Sequence, residues 1–307
     1  MTQPQYDVLV VGGAGVDTVV RVDALALPPG DSVSVPPVHD YVAHTGNGVA
    51  LGWHALGLAT KFIDFLGDDP QGRAVLAHYA GLGLDFSHVV SEHGTPRGVN
   101  LVDAEGRRFS FYDARHPADL RLPRDFYLPH LRRARHVHLS ITGTNRDMYE
   151  DVHRLGLSCS TDLHDWDGSN PHHRTYALAS DYVFLSAAAI HHRLDEVLHT
   201  IVDRGRARLA LATDGAAGCH LLVRGEREVR HFAAVRPERP VVDSNGAGDA
   251  FVTAFLYALF EGRPYEECVL AGSVSGAFAC GSAGTHTEFI DLSGLRAACA
   301  RAAGSLR

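Results

Sequence analysis

The segment Val241-Val242-Asp243-Ser244-Asn245-Gly246-Ala247-Gly248-Asp249-Ala250-Phe251 runs directly into an apolar stretch at residues 252–260. Small residues at a helix start leave backbone N–H groups without intrahelical acceptors. With the positive end of the helix dipole, these can hold phosphate oxygens. Asp249 then falls in the first turn, beside that anion hole. A carboxylate there can accept the proton of an attacking hydroxyl while the amides of Gly246, Ala247 and Gly248 stabilise charge on a phosphoryl group in transfer. A plain Asp-capped helix with a glycine-rich lead-in has the same spacing, and spacing alone leaves the two readings even.

A second glycine cluster, Gly12-Gly13-Ala14-Gly15-Val16-Asp17, follows an apolar run. A dinucleotide fingerprint counted from Gly13 needs glycine at position 18, which is Thr18, and the residues beyond read as strand rather than helix. What remains is a close-packed strand end, or a loop that lets Asp17 offer two acceptor oxygens to neighbouring hydroxyls of a polyol. Lys61 is the only lysine, and it lies in neither a Walker P-loop nor a protein-kinase β3 context. A phosphoryl-transfer site in this chain must rely on backbone amides, Arg and metal.

These residues need a scaffold, and the hydrophobic pattern supplies one. Short apolar runs at residues 7–11, 60–66, 136–140, 157–163, 181–185 and 209–213 alternate with helical spacing at 47–56, 72–82, 145–155 and 194–204. That alternation predicts a mainly parallel sheet covered by helices, finished by helices at 246–261, 266–280 and 292–303. Residues 16–41 and 97–115 break the pattern with β-type alternation and Pro and Gly punctuation, which predicts a small projecting sheet. We therefore expect one α/β domain over residues 1–307 carrying a discontinuous β lid.

Composition excludes several classes. The net charge of -8 argues against nucleic-acid binding, and no apolar run approaches a membrane span of about 18 residues. The five cysteines are widely spaced without a C-x-x-C pair, and the twenty histidines form no H-E-x-x-H array. The amino end lacks a basic segment followed by a long apolar run, so a soluble cytoplasmic protein is expected.

Asp243-Ser244-Asn245-Gly246-Ala247-Gly248-Asp249 resembles the carboxyl-terminal signature of the ribokinase-like (PfkB) carbohydrate kinases, usually written D-T-x-G-A-G-D. The Gly-rich turn with Asp17, Thr45-Gly46-Asn47-Gly48, Phe65-Leu66-Gly67-Asp68-Asp69-Pro70-Gln71-Gly72 and Gly83-Leu84-Asp85-Phe86 follow in that family's order. The resemblance spans nearly the whole chain. It implies a Rossmann-like three-layer α/β/α ribokinase-like fold with a β-sheet lid, and ATP-dependent phosphorylation of an alcohol with Mg2+. Asp249 is by this resemblance the catalytic base, with Gly246, Ala247 and Gly248 as the anion hole. Asp17, Gly46 and Asn47 match sugar-contacting positions. Thr213, Gly215 and Gly218 match the nucleotide loop, and Ser273, Ala277, Gly281 and Gly284 lie in segments that flank adenine. Asp243 aligns with a position that in some members coordinates a monovalent cation such as K+.

Two departures concern the metal and the helix after the first glycine motif. Ser186-Ala187-Ala188-Ala189 stands where the family commonly carries N-x-x-E, whose Glu places magnesium through water, and Ala50 stands where the family favours Asn. A candidate replacement is Thr161-Asp162-Leu163-His164-Asp165-Trp166-Asp167-Gly168, where Asp162 and Asp165 at a strand end could hold Mg2+ through water. The alternative is a turn rich in Asp because Asp tolerates turn geometry.

The lid region offers Asp17, His39, Tyr41, His44, Asn47, Asn100, Phe111, Tyr112 and Arg115, a set more polar than stacking, which favours a sugar or cyclitol. Within the family, Val11-Gly12-Gly13-Ala14-Gly15-Val16-Asp17-Thr18, His44-Thr45-Gly46-Asn47-Gly48 and Asp162-Leu163-His164-Asp165-Trp166-Asp167-Gly168 are similar to the acarbose kinases, which implies a pseudo-oligosaccharide acceptor phosphorylated on its 7-hydroxyl. A ribose, ketose or nucleoside kinase is the runner-up, and a sugar-binding regulatory protein is the alternative from another class. An exposed lid edge needs cover, so a homodimer through the lid is a further expectation.

Overall fold

The computed structural model describes residues 5–26, 30–104, 107–113 and 115–305. Residues 27–29, 105, 106 and 114 of the expected lid, and both chain ends, lie outside the described residues. In chain order the elements are β1 (Tyr6–Val11), β2 (Gly15–Arg21), β3 (His39–Ala43), α1 (Thr45–Ala55), β4 (Thr60–Gly67), α2 (Pro70–Leu82), β5 (Asp85–Ser91), β6 (Arg97–Val102), β7 (Arg108–Asp113), α3 (Arg124–Leu131) and β8 (Ala134–Leu139). There follow α4 (Met148–Arg154), β9 (Ser158–Asp162), α5 (Pro171–Ala179), β10 (Tyr182–Ser186), α6 (Leu194–Arg204), β11 (Leu209–Thr213), β12 (Cys219–Val223), β13 (Arg230–Phe232), α7 (Ala247–Phe260), α8 (Tyr265–Ala279) and α9 (Leu292–Ser305).

One sheet has the order β13-β12-β11-β10-β9-β8-β1-β4-β5, parallel from β11 to β5 with β12 and β13 antiparallel at one edge. Its strands alternate sides as the period of two demands. Val8, Val10, Phe62 and Leu66 pack under α1, α2, α7, α8 and α9. Leu9, Val11, Ile63 and Phe65 pack under α3, α4, α5 and α6. The result is three layers, with two buried clusters separated by the sheet. A second sheet, β3-β2-β6-β7, leaves the body after β1 and again after β5.

Local signals set the connections between body and lid. Asp69 caps α2 by accepting from Gly72 N at 2.7 Å, Pro70 opens the helix, and Gly83 closes it with φ 71°. The same carboxylate accepts Thr95 N at 2.8 Å, so one side chain fixes both the helix start and the chain leading into β6. Lys61, buried at 3% exposure, bonds Asp85 at 2.6 Å near the amino end of β4, the opposite end of the sheet from the glycine turns. It therefore takes no part in a phosphate site.

Candidate active site

Parallel α/β sheets bind ligands beyond the carboxyl ends of their strands, and the sequence motifs collect there. Gly12 and Gly13 follow β1, Asp162 ends β9, Ser186 ends β10 and Thr213 ends β11. Gly12 and Gly13 both have positive φ, and α1 begins against them so tightly that a Cβ on Gly46 would stand 1.9 Å from Gly12 O. Gly46 is thus required by a backbone approach. Below this turn the buried Asp64 accepts Ala14 N and Phe65 N, each at 2.8 Å. Burial pushes its carboxyl up to about 6 against the pull of those amides.

The turn delivers Asp17 on β2, 9% exposed and facing the body. Gly98 lies opposite it on β6, where a Cβ would stand 2.4 Å from Asp17 Oδ1. His44 Nε2 is 3.2 Å from the same oxygen, and the Tyr112 ring meets His44 edge-on at 5.5 Å. Burial acts to raise the Asp17 carboxyl, but the nearby His44, with the Asn100 amide close by, leaves it net lowered. Asn100 accepts Ser110 Oγ at 2.6 Å, while its amide nitrogen and Asn47 Oδ1 are buried without hydrogen-bond partners. These are polar atoms of the type that sugar hydroxyls satisfy.

Asp249 comes to this cleft because α1 and α7 pack closely. A Cβ on Gly52 would stand 2.7 Å from Thr253 Oγ1, and one turn earlier Gly48 meets Asp249 in the same way. Gly246 precedes α7 with φ 76°, and Asp249 lies in the first turn, where the amides lack intrahelical acceptors. Asp162 Oδ2 is 3.9 Å from the Cβ position of Gly248. Burial pushes the Asp162 carboxyl above its ordinary value, His164 partly offsets this, and the nearby Asp249 adds to the rise. A buried carboxylate beside an anion hole gains from a cation, so Asp162 fits a role in holding Mg2+ with phosphates and water. Asp165 lies exposed on the following turn, where its charge bears on His173, and Asp167 caps that turn by accepting Ser169 N at 2.8 Å. Among the described residues no three His, Cys, Asp or Glu side chains cluster as a metal site. Ser186, at the position of the missing N-x-x-E, caps its own turn by accepting Ala188 N at 3.2 Å.

In the loop expected to take the nucleotide, Thr213 and Gly215 lead a tight turn in which Asp214 N donates to Gly218 O at 2.7 Å. Gly218 is packed under β13, its Cβ position 1.9 Å from Phe232 O. Ser273 and Ala277 lie half-buried on α8. Gly281 packs on Arg239, whose guanidinium lies 4.1 Å over the Phe278 ring. Gly284 sits under the lid's Tyr41, where a Cβ would stand 2.4 Å from the ring, so it adjoins the lid. Arg115 bonds Asp113 at 3.0 Å and lies against the Gly94 turn.

Four further positions at the candidate site escape sequence reasoning. His286 bonds Asp249 Oδ2 at 2.7 Å. Two lid arginines reach the anion hole's lead-in, Arg108 donating to Asn245 Oδ1 and Arg21 lying 3.6 Å from Asp243 Oδ2. The positive charge beside Asp243 is therefore a guanidinium. Asp64 had one signal available, a lone carboxylate inside the apolar run Phe62-Ile63-Asp64-Phe65.

Residues 179–291 match the family described as pfkB family carbohydrate kinase. The chain is 47% identical to acarbose 7(IV)-phosphotransferase of Actinoplanes sp. over 94% of its length and 97% of that protein. It is 29% identical to fructoselysine 6-kinase of Escherichia coli over 72% of its length and 82% of that protein. Among solved structures, microbiome-derived acarbose kinase Mak1 superposes with a TM-score of 0.90 at 45% identity, covering 97% of this chain and 100% of that one. Ribokinase of Arabidopsis thaliana superposes with a TM-score of 0.80 at 20% identity, covering 97% and 99%, and shows the shared ribokinase-like fold.

Proposed function

The chain belongs to the pfkB family of carbohydrate kinases, phosphotransferases with an alcohol as acceptor, and from that premise we propose that it transfers the γ-phosphoryl group of ATP to the 7-hydroxyl of acarbose or a closely similar pseudo-oligosaccharide. The observation that carries the reading is the convergence of Asp249, in the first turn of α7, with the polar lid residues Asp17 and Asn100 and with Asn47 of α1. In this mechanism Asp17, Asn47 and Asn100 hold the sugar. Asp249 accepts the proton of the acceptor hydroxyl as its oxygen attacks the γ-phosphorus, and the bond to the β-phosphate oxygen breaks with its electron pair leaving on ADP. First-turn amides of α7, with Gly246, Ala247 and Gly248, stabilise the equatorial charge.

Mg2+, when bound, neutralises charge on the phosphates, and Asp162 is the carboxylate suited to hold it through water. K+ at Asp243 has no part in the reading, because Arg21 already lies beside that carboxylate. Thr213, Gly215 and Gly218 with Ser273 and Ala277 form the nucleotide side. A sugar is favoured over a nucleoside because the body-facing side of the lid carries the polar side chains of Asp17, Arg21, Asn100 and Ser110 among the rings of His39, Tyr41 and Tyr112. A cytoplasmic location fits five free cysteines and an ATP-consuming reaction, and among the described residues no helix is long and apolar enough to cross a membrane.

The test is ADP release from MgATP with acarbose, ribose, fructose, fructose 6-phosphate and adenosine offered separately, each with a magnesium-free control. Magnesium-dependent release with acarbose alone is expected. A response to ribose, fructose or adenosine in its place overturns the assigned acceptor. Silence with every sugar, while acarbose still raises the melting temperature, moves the chain to a sugar-binding protein.

A further inference from the structure

We propose that His286 is the positioning residue of the base: Asn47 fixes its tautomer, and it holds one oxygen of Asp249 so that the other is presented to the acceptor hydroxyl. This inference rests on Asp249 acting as the base. The hydrogen-bond pattern fixes the direction of each donation. Asn47 Nδ2 donates to the carbonyl oxygen of Val42 at 3.2 Å, so that end of the amide is nitrogen. The same nitrogen lies 3.0 Å from His286 Nδ1, which must therefore accept. The imidazole proton is thereby placed on Nε2, which donates to Asp249 Oδ2 at 2.7 Å.

The surroundings are built for this ring. Its side chain is 2% exposed and that of Asp249 is 12% exposed, so water competes little for either. A Cβ on Gly246 would stand 2.6 Å from His286 Cδ2, and Phe289 stacks on the other side with ring centres 6.0 Å apart. His286 itself has φ 59°, a left-handed conformation that side chains other than glycine rarely adopt, and such backbone persists where the surroundings enforce it. Asn47 Oδ1, buried and without a hydrogen-bond partner, is left to take a sugar hydroxyl. One amide thus touches the sugar at one end and orients the base at the other.

The experiment compares His286→Gln, His286→Asn, Asp249→Asn and the double variant His286→Asn/Asp249→Asn, with MgATP and acarbose. A Gln amide reaches the Nε2 place and restores the donor to Asp249. An Asn amide reaches only the Nδ1 place, keeping the Asn47 bond and losing Asp249. We expect kcat of H286N to fall about 10²-fold while KM for acarbose changes less than about threefold, with H286Q recovering to within about tenfold of the parent. In the Asp249→Asn background, adding H286N should cost less than about twofold, because the two act as a unit. A kcat for H286N within about threefold of the parent, or equal losses in H286N and H286Q, overturns the inference while leaving the base intact. Full turnover by Asp249→Asn instead overturns the underlying mechanism. Should acarbose give no turnover, 15N spectra of the unliganded protein decide, with the His286 resonance assigned by its loss in H286Q. Protonation on Nε2 supports the inference, and protonation on Nδ1 overturns it.

Discussion

A Cβ built on Gly48 would stand 2.3 Å from His286 Nε2 and 2.6 Å from Asp249 Oδ2, so a glycine at this position of α1 leaves the room that Asp249 and its partner occupy. His286 is buried and Asp249 half-buried, and the two are bonded at 2.7 Å, so neither can move without breaking that bond.

Gly48→Ala therefore sets two effects against each other. Alanine in a helix interior gains up to about 1 kcal/mol over glycine. Crowding a packed site costs about 1–3 kcal/mol. We expect crowding to win locally, giving a kcat at least about tenfold lower and no gain in melting temperature. A more stable enzyme with unchanged kcat would show that the pair yields freely.

Asp162 is the carboxylate assigned to the metal. Asp162→Asn keeps an acceptor for His164 N, which Asp162 Oδ1 now binds at 2.8 Å, while removing the charge. We expect the Mg2+ concentration for half-maximal velocity to rise about 10–100-fold, the range for groups that support a metal without a full ligand set. The KM for acarbose should stay unchanged. An unaltered Mg2+ requirement would assign the metal to the nucleotide phosphates alone.

The parts of this protein legible in its sequence are those whose signal is contiguous. The Asp243 to Asp249 stretch carries its own helix start, and parallel strands such as β10 and β11 read as short apolar runs. His286 and Asp249 lie 37 residues apart, and Asp64 and Ala14 lie 50 apart, so their pairing exists only once α1, α7 and β4 have packed. Two helices were also missed for physical reasons. α3 contains Pro129, which reads as a breaker, and α5 buries only Tyr176 and Ala177, too few to show a helical period. β5 was missed because most of its side chains are half-buried or exposed, as suits an edge strand.

Asp64 gives the stability a pH signature. Its folded value of about 6 lies above the ordinary 3.8, so the folded state holds the proton more tightly. Its contribution is fully present below about pH 4 and is lost as pH rises through about 6, a swing on the order of 3 kcal/mol. Asp64→Asn loses one of the two amide bonds at any pH but does not titrate. The variant should therefore be most destabilised relative to the parent near pH 4.5 and least near pH 8, read as the difference in denaturation midpoints. A difference independent of pH would show that Asp64 is ionised in the fold throughout. The same variant should raise KM for the sugar, because Asp64 holds the turn that leads to Asp17.

The lid's outer face is an exposed apolar surface. The pairings Val99 with Phe111 and Leu101 with Phe109 place four apolar side chains on the side of the sheet away from Asp17 and Asn100. Phe109 and Phe111 are 54% and 57% exposed and meet edge-on at 5.1 Å. β7 is also an edge strand with unpaired backbone groups on one side. A second copy of the same lid satisfies both needs, since a twofold contact matches apolar face to apolar face. Phe111→Glu should then convert a dimer to a monomer in sedimentation at micromolar concentration. Because Asp17 and Asn100 face the opposite side, turnover per chain should fall only as far as the lid loses support, and added acarbose should recover it. An unchanged sedimentation profile between parent and variant would remove the lid from the assembly.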